Sequence, residues 1–161
     1  MKLKKEPGVD EIWEAMGDFS HYDEVVFCGF GEPTLRLDGI KKISAKLKEK
    51  LPKMKVRVNT DGLMNLRESR NAAAELKGLV DSFSVSLNAP DAVKYVEICP
   101  SKFGERAYGE VKQFIRVIKD LGFDVQATAV GLPGLDAEAV RKIVETELKV
   151  KFRLRKYQDV G

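Results

Sequence analysis

Short apolar segments alternate with amphipathic ones along nearly the whole chain, and turns rich in Gly, Asn, Asp or Pro separate them. Residues 24–28, 55–59, 82–87, 124–130 and 151–155 read as strands. Helical spacing runs through 9–16 (Ile12, Trp13 and Met16 on one stripe), 38–50 (Ile40, Ile43, Leu47), 66–76, 91–98, 105–121 and 136–148. Asp38 and Asp136 fit helix N-caps, and Gly78 and Gly122 fit helix stops. A chain that alternates in this way folds as an α/β domain with right-handed parallel crossovers. No short repeat, low-complexity stretch or linker divides it, so one domain over residues 1–161 is expected.

Four of the five strands are apolar on one side only. Side chains alternate across a strand. Phe83, Val85 and Leu87 oppose Ser84, Ser86 and Asn88. Val56 and Val58 oppose Arg57 and Asn59. Val125, Ala127 and Ala129 oppose Gln126 and Thr128, and Phe152 and Leu154 oppose Arg153 and Arg155. A doubly wound sheet, with helices on both faces, needs strands apolar on both. These strands offer one face to helices and one to something polar. Solvent on a one-sided α+β sheet is one account. A curved, open, barrel-like sheet with a polar lumen fits parallel connectivity better.

Ligands of such sheets gather at the carboxyl ends of the strands. Those ends read Gly29-Phe30-Gly31-Glu32-Pro33-Thr34, Asn59-Thr60-Asp61-Gly62, Ser86-Leu87-Asn88 and Val130-Gly131-Leu132-Pro133-Gly134. Glycine lets backbone approach a ligand closely. Each segment also has a purely structural reading: tight turns at Gly29 and Gly31, a helix start at Pro33, a cap at Glu32. All four lie on one rim, and together they favour a site.

Composition limits the chemistry. Hydrophobic residues make up 43% and charged residues 33%, which fits a soluble globular chain. No apolar run is long enough to cross a membrane, and the basic start MKLKKEPGVD lacks the apolar core of a signal peptide; a cytoplasmic location is expected. A net charge of +3 is too mild to imply nucleic acid, and the alternation in LKVKFRLRKY reads as a one-faced strand. The only two cysteines, Cys28 and Cys99, lack metal-ligand spacing. Cys28, in an apolar strand, reads as a small buried hydrophobe. His21 has no histidine partner.

The run CGFGEPTLRL resembles the second-strand motif of radical S-adenosylmethionine (SAM) enzymes, and VNTDG, SVSLNAPD and ATAVGLPG resemble their third, fourth and fifth strand ends. The likeness covers residues 9–161 and is greatest to the TatD-associated radical SAM proteins, on SVSLNAPD followed by CPSKFGE. It implies a partial, open TIM-type (βα) barrel of about five parallel strands with SAM across their ends. Carried over by position, the backbone of Phe30, Gly31 and Glu32 would hold the methionine amino group, with Gly29 beside them in the SAM site. Ser86 and Asn88 face the ribose or carboxylate, Asn59 borders the pocket, and Val130, Gly131 and Leu132 flank the adenine. Arg57, Gln126, Thr128, Arg153 and Arg155 become candidates for a substrate pocket, and their basic character suggests an anionic substrate. Catalytic residues are not assigned.

The family's Cys-x3-Cys-x2-Cys motif and first strand do not occur in these residues. In the family those thiolates bind a [4Fe–4S] cluster whose reduction cleaves SAM to a 5′-deoxyadenosyl radical. Clustered thiolates are needed for this, and Cys28 and Cys99 do not supply them. The expectation is an N-terminally incomplete barrel lacking the family's first strand, with the cluster on an upstream segment or partner chain. Such a fragment keeps the SAM pocket and does not generate the radical alone. An unpaired edge at residues 25–28 is expected to favour self-association. The alternative is a cluster-less barrel that binds a nucleotide or partner protein without catalysis.

Overall fold

The computed structural model describes residues 5–29 and 31–157. Five strands, β1 (Glu24–Phe27), β2 (Lys55–Thr60), β3 (Ser82–Ser86), β4 (Asp124–Val130) and β5 (Lys151–Arg155), form one sheet in the order in which they occur in the chain. Every neighbouring pair is parallel. The helices are α1 (Val9–Ala15), α2 (Leu37–Lys50), α3 (Met64–Glu68), α4 (Ala92–Ile98), α5 (Arg106–Asp120) and α6 (Ala137–Lys142). Sequential parallel order with helical crossovers is the winding of an open section of a TIM-type barrel.

The core lies between the helices and one face of the sheet. Val56, Val58, Phe83, Val85, Leu87, Val125, Ala127 and Ala129 are buried there. Helix α2 covers them with Ile40, Ile43 and Leu47, and α5 with Val111, Phe114, Ile115 and Ile118. Phe83 holds Phe114 and Phe123 edge-on, with ring centroids 5.9 and 4.9 Å away. Edge-on aromatic packing adds about 1 kcal/mol beyond burial.

The other face carries the polar alternates in register. Asn59 pairs with Ser84, Ser84 with Gln126, and Gln126 with Lys151. One step towards the carboxyl ends, Ser86, Thr128 and Arg153 form the next row. The alternation in the sequence therefore corresponds to a real face, and Ser84 belongs to it.

Local differences from the sequence reading have visible causes. Residues 66–76 do not form one helix. Ser69 turns left-handed at φ 53°, and the chain resumes as a short 3-10 turn over Ala72–Leu76. The Asn65 side chain explains the break: its Oδ1 accepts from the Ala73 N–H and its Nδ2 donates to Asn71. Side-chain amides that bond nearby backbone compete with the helix. Helix α2 opens from a 3-10 turn over Pro33–Arg36, so Asp38 sits in its first turn rather than capping it. Asp136 does cap α6, accepting from the Ala139 N–H at 2.9 Å. Cys28 is exposed, not buried. It lies just past the end of β1, which pairs with only one strand among the described residues, so little packs over it.

Beyond α6 the helix continues as a π turn over Ile143–Leu148. Glu147 ties it to α5, accepting from Lys112 at 2.8 Å and from Arg116 at 2.5 Å. The Lys112 hydrogen bond, helped by the Arg116 charge and opposed by partial burial, holds the Glu147 carboxyl below its ordinary 4.5. A depressed acid contributes stability above its unfolded pKa and loses it as pH falls through the folded one. Protection of the amides over residues 143–148 is therefore expected to fall below about pH 4.5. Unchanged protection there down to pH 3, relative to α2, would contradict this.

Candidate functional site

The carboxyl ends of β1 and β2 are joined by one side chain. Glu32 Oε1 accepts from the Thr34 N–H at 3.1 Å, the Thr34 hydroxyl at 2.5 Å and the Thr60 hydroxyl at 2.7 Å. Its Oε2 accepts from the Asp61 N–H at 2.8 Å. Thr34 and Thr60 are themselves buried. The carboxylate is thus committed to the protein, both capping the 3-10 turn and bridging two strand ends.

Gly29 and Gly31 behave differently. A Cβ on Gly31 would meet nothing within 4 Å, and one on Gly29 only the Gly31 nitrogen at 4.0 Å. Neither has a positive φ. No protein contact or strained turn accounts for the missing side chains, so the open space beside them suits a ligand against bare backbone. Phe30 lies outside the described residues.

Next along the rim, Asp61 accepts from the Leu63 N–H at 2.9 Å and pairs with Arg67. Gly62 is packed tightly beneath this turn. Asn88 spans the ends of β3 and β4: its Oδ1 accepts from the Val130 N–H at 3.2 Å and its Nδ2 contacts Cys99 Sγ at 3.3 Å. Gly131 extends the join to β5 by donating to the Arg155 carbonyl at 2.9 Å. Leu132 donates back to the Val130 carbonyl at 2.8 Å, tightening that loop. The sequence reading placed Thr60 and Asp61 on this rim without giving them a role, and it missed Arg67 and Tyr95. Tyr95 is buried, and burial first, then the nearby Cys99 and Asp61, push its hydroxyl well above the usual phenol range. Its signal was slight, an aromatic residue in a short helix after SVSLNAPD.

Below the rim, Asn59 Oδ1 is buried and has no hydrogen-bond donor. Buried polar atoms are nearly always paired, so this acceptor points to a group beyond the protein's own atoms. Arg57 pairs with Glu24 at 2.8 Å and keeps a buried Nε without an acceptor. Ser86 and Gln126 are half-buried, Thr128 is buried, and Arg153 and Arg155 are exposed. The structure thus brings the described candidates onto one rim and one adjoining face. Asn88 is held by the protein, and Arg57 already has a partner.

A cleft of about 420 Å3 opens beside the end of β1, with Cys28, Gly29, Gly31 and Glu32 on its rim and Pro7, Ile12, Ile40 and Ile43 among its walls. That size suits a small molecule. Hollows of about 590 and 500 Å3 lie at the opposite, amino ends of the strands, near Asp23 and Lys55 and near Asp124 and Lys151. They lack glycine-rich loops, so location favours the smaller cleft. Among the described residues, no three His, Cys, Asp or Glu side chains converge as a metal site. The exposed Cys28 and the Asn88-bound Cys99 do not form a nest for an iron–sulfur cluster.

Residues 2–146 match the family model for the radical SAM superfamily. The crystal structure of Streptococcus suis SuiB superposes with a TM-score of 0.65 and 19% identity, over 86% of this chain and 30% of that one. SuiB bound to the precursor peptide SuiA gives 0.63 and 19%, over 85% and 29%. The chain thus spans about 30% of the length of these structures, and at that identity the likeness speaks for the fold. No curated protein matches.

Proposed function

The chain belongs to the radical SAM superfamily, and from that premise we propose that its strand-end rim is the SAM pocket of a radical SAM protein built on one barrel domain. The open backbone at Gly31, beside a Glu32 whose carboxylate is already taken, carries this reading. The backbone of residues 29–32, Phe30 included, would hold the methionine end. Ser86 and the orphaned Asn59 carbonyl would face polar groups of the ligand, and Val130, Gly131 and Leu132 would flank the adenine. Asn88 acts as a positioning residue that fixes the Val130 N–H. When bound, SAM is the source of the radical that starts the reaction. Cluster cysteines do not fit on the described residues, and we assign them to a segment outside these residues or to another chain. Within the superfamily, SVSLNAPD with CPSKFGE supports the TatD-associated radical SAM proteins. The polar face with Gln126, Thr128, Arg153 and Arg155, and Arg57 behind it, would receive an anionic substrate.

Titration of the 161-residue chain with SAM tests the pocket. Amide shifts are expected at residues 29–32, 86–88 and 130–132, with a Kd near millimolar because the cluster that anchors SAM in the family is missing from the titration. Silence of those amides at about ten times that concentration would remove the pocket from this chain. Gly31→Val sharpens the test. A Cβ at this position meets no atom within 4 Å among the described residues. The melting temperature should stay within about 2 °C while SAM affinity falls at least about tenfold. Equal losses of both would make Gly31 a structural glycine.

The alternative, a cluster-less barrel that binds a nucleotide or partner protein, draws on the absence of a converging metal site among the described residues. Coding sequence upstream of Met1 separates the two. An in-frame Cys-x3-Cys-x2-Cys supports the enzyme, and closed frames with no cysteine-rich neighbouring gene support the binding protein. Among the described residues β1 pairs only with β2, which also supports self-association along residues 25–28. Sedimentation of a stable monomer at about 100 μM would refute that contact.

A further inference from the structure

Strand β5 combines three features. Its outer edge pairs with no strand among the described residues. Arg155 turns its carbonyl inward to Gly131. N–H and C=O directions alternate along a strand, so Phe152 and Leu154 turn theirs to the open edge. Lys151, Arg153 and Arg155 share the polar face of the sheet, in register with Gln126, Thr128 and Val130. Lys151 pairs with Asp124 at 3.3 Å. Arg153 and Arg155 have no carboxylate partner among the described residues. On the opposite face Leu154 is 44% exposed, and Tyr157, just beyond the strand, is 49% exposed.

An unblocked edge is a template for strand addition. Protective charges on an edge repel nothing when the incoming strand carries the opposite sign. We infer that β5 docks an extended acidic peptide as a sixth strand, its backbone on Phe152 and Leu154, alternate carboxylates on Arg153 and Arg155, and apolar side chains against Leu154. The charge row and the apolar spacing select one partner chemistry, alternating acidic and apolar residues. A second copy of β5 would bring its own cations against the row. Docking of this kind shares Arg153 and Arg155 with the proposed substrate face but needs no cofactor at the strand-end rim, so it stands or fails separately from the SAM pocket.

The probe is an eight-residue peptide of alternating Glu and Val, added to the full chain at low salt, with a Lys–Val peptide as comparison. Hydrogen exchange at the Phe152 and Leu154 amides should slow at least about tenfold with the acidic peptide and little with the basic one. Arg153→Glu with Arg155→Glu should reverse that preference, and the Gln pair should weaken acidic binding at least about tenfold. Both positions are exposed, so circular dichroism should show both variants folded. Three results would overturn the proposal. One is acidic binding without protection of those two amides. Another is equal binding of a peptide N-methylated at alternate residues, or of a single-stranded oligonucleotide, which would reduce the site to a charged patch. The last is concentration-dependent protection without any peptide, which would give the edge to a second copy of the chain. Loss of SAM shifts in the titration above, with peptide protection intact, would sink the pocket and leave this edge.

Discussion

Gly62→Ala is expected to destabilise the protein by about 3 kcal/mol, the sum of a left-handed backbone cost and overpacking. Gly62 sits at φ 78°, and a Cβ there would lie 2.8 Å from Val85 Cγ1 and 3.1 Å from Val111 Cγ1. Neither valine can yield easily. Both are fully buried, one in β3 and one in α5, and β-branched side chains have little rotamer freedom. For a chain of this size the loss corresponds to a melting temperature lower by about 6–12 °C. Gly104 provides the comparison: its φ is 55° and nothing lies within 4 Å of its Cβ position. Gly104→Ala should cost only the backbone share, about 1 kcal/mol. Trimming Val85 to alanine should absorb part of the Gly62→Ala cost, giving a favourable coupling in the double mutant. Equal melting temperatures for the two glycine variants would refute the packing account.

Glu32→Ala is expected to cost about 2–4 kcal/mol, since charged hydrogen-bond acceptors leave costly orphans when removed. The Thr60 hydroxyl and the Asp61 N–H, bonded at 2.7 and 2.8 Å, would lose their acceptor at once. Glu32→Gln keeps one carbonyl oxygen, so it should recover roughly half of the loss. Glu32→Ala should also free the Asp61 amide to exchange, because it depends on Oε2. Thermal melts with exchange at Asp61 provide the measurement. A stable Glu32→Ala with an unchanged Asp61 amide would mean that the bridge between β1 and β2 contributes little.

These two substitutions mark how far the sequence could be read. Alternation located four of the five strands because each has one face against helices, and β1 was read from its short apolar run; both constraints are local. The polar row from Asn59 through Ser84 to Gln126 followed from the same periodicity. The roles of the glycines were not local. Gly31 and Gly62 both follow a strand in Gly-rich turns, yet Gly31 borders open space and Gly62 is wedged between Val85 and Val111. Only tertiary packing tells them apart. Glu32 looked like a ligand residue or a cap, and its partners at Thr60 and Asp61 lie 28 and 29 residues away. Asn88 looked like a ligand residue, but the Val130 N–H that engages it is 42 residues distant. The break within 66–76 depended on one Asn65 side chain outbidding a helix whose apolar spacing was sound. Cys28 misled because its neighbours in sequence are apolar while its neighbours in space are few.

The strand order has one more consequence, for how the chain is made. Because spatial neighbours are also successive in the chain, each strand after β1 leaves the ribosome with a partner already synthesised. Lys55 meets Glu24, Ser82 meets Arg57, and Lys151 meets Gln126, each partner lying earlier in the chain. The sheet can therefore grow in one direction during translation, without waiting for the C-terminus to complete its interior. The slowest addition should be β4, where Ser82 waits through α4 and α5 for Asp124. A nascent chain stalled in that interval would hold a three-stranded sheet with β3 as its growing margin, the point at which a chaperone would be most useful.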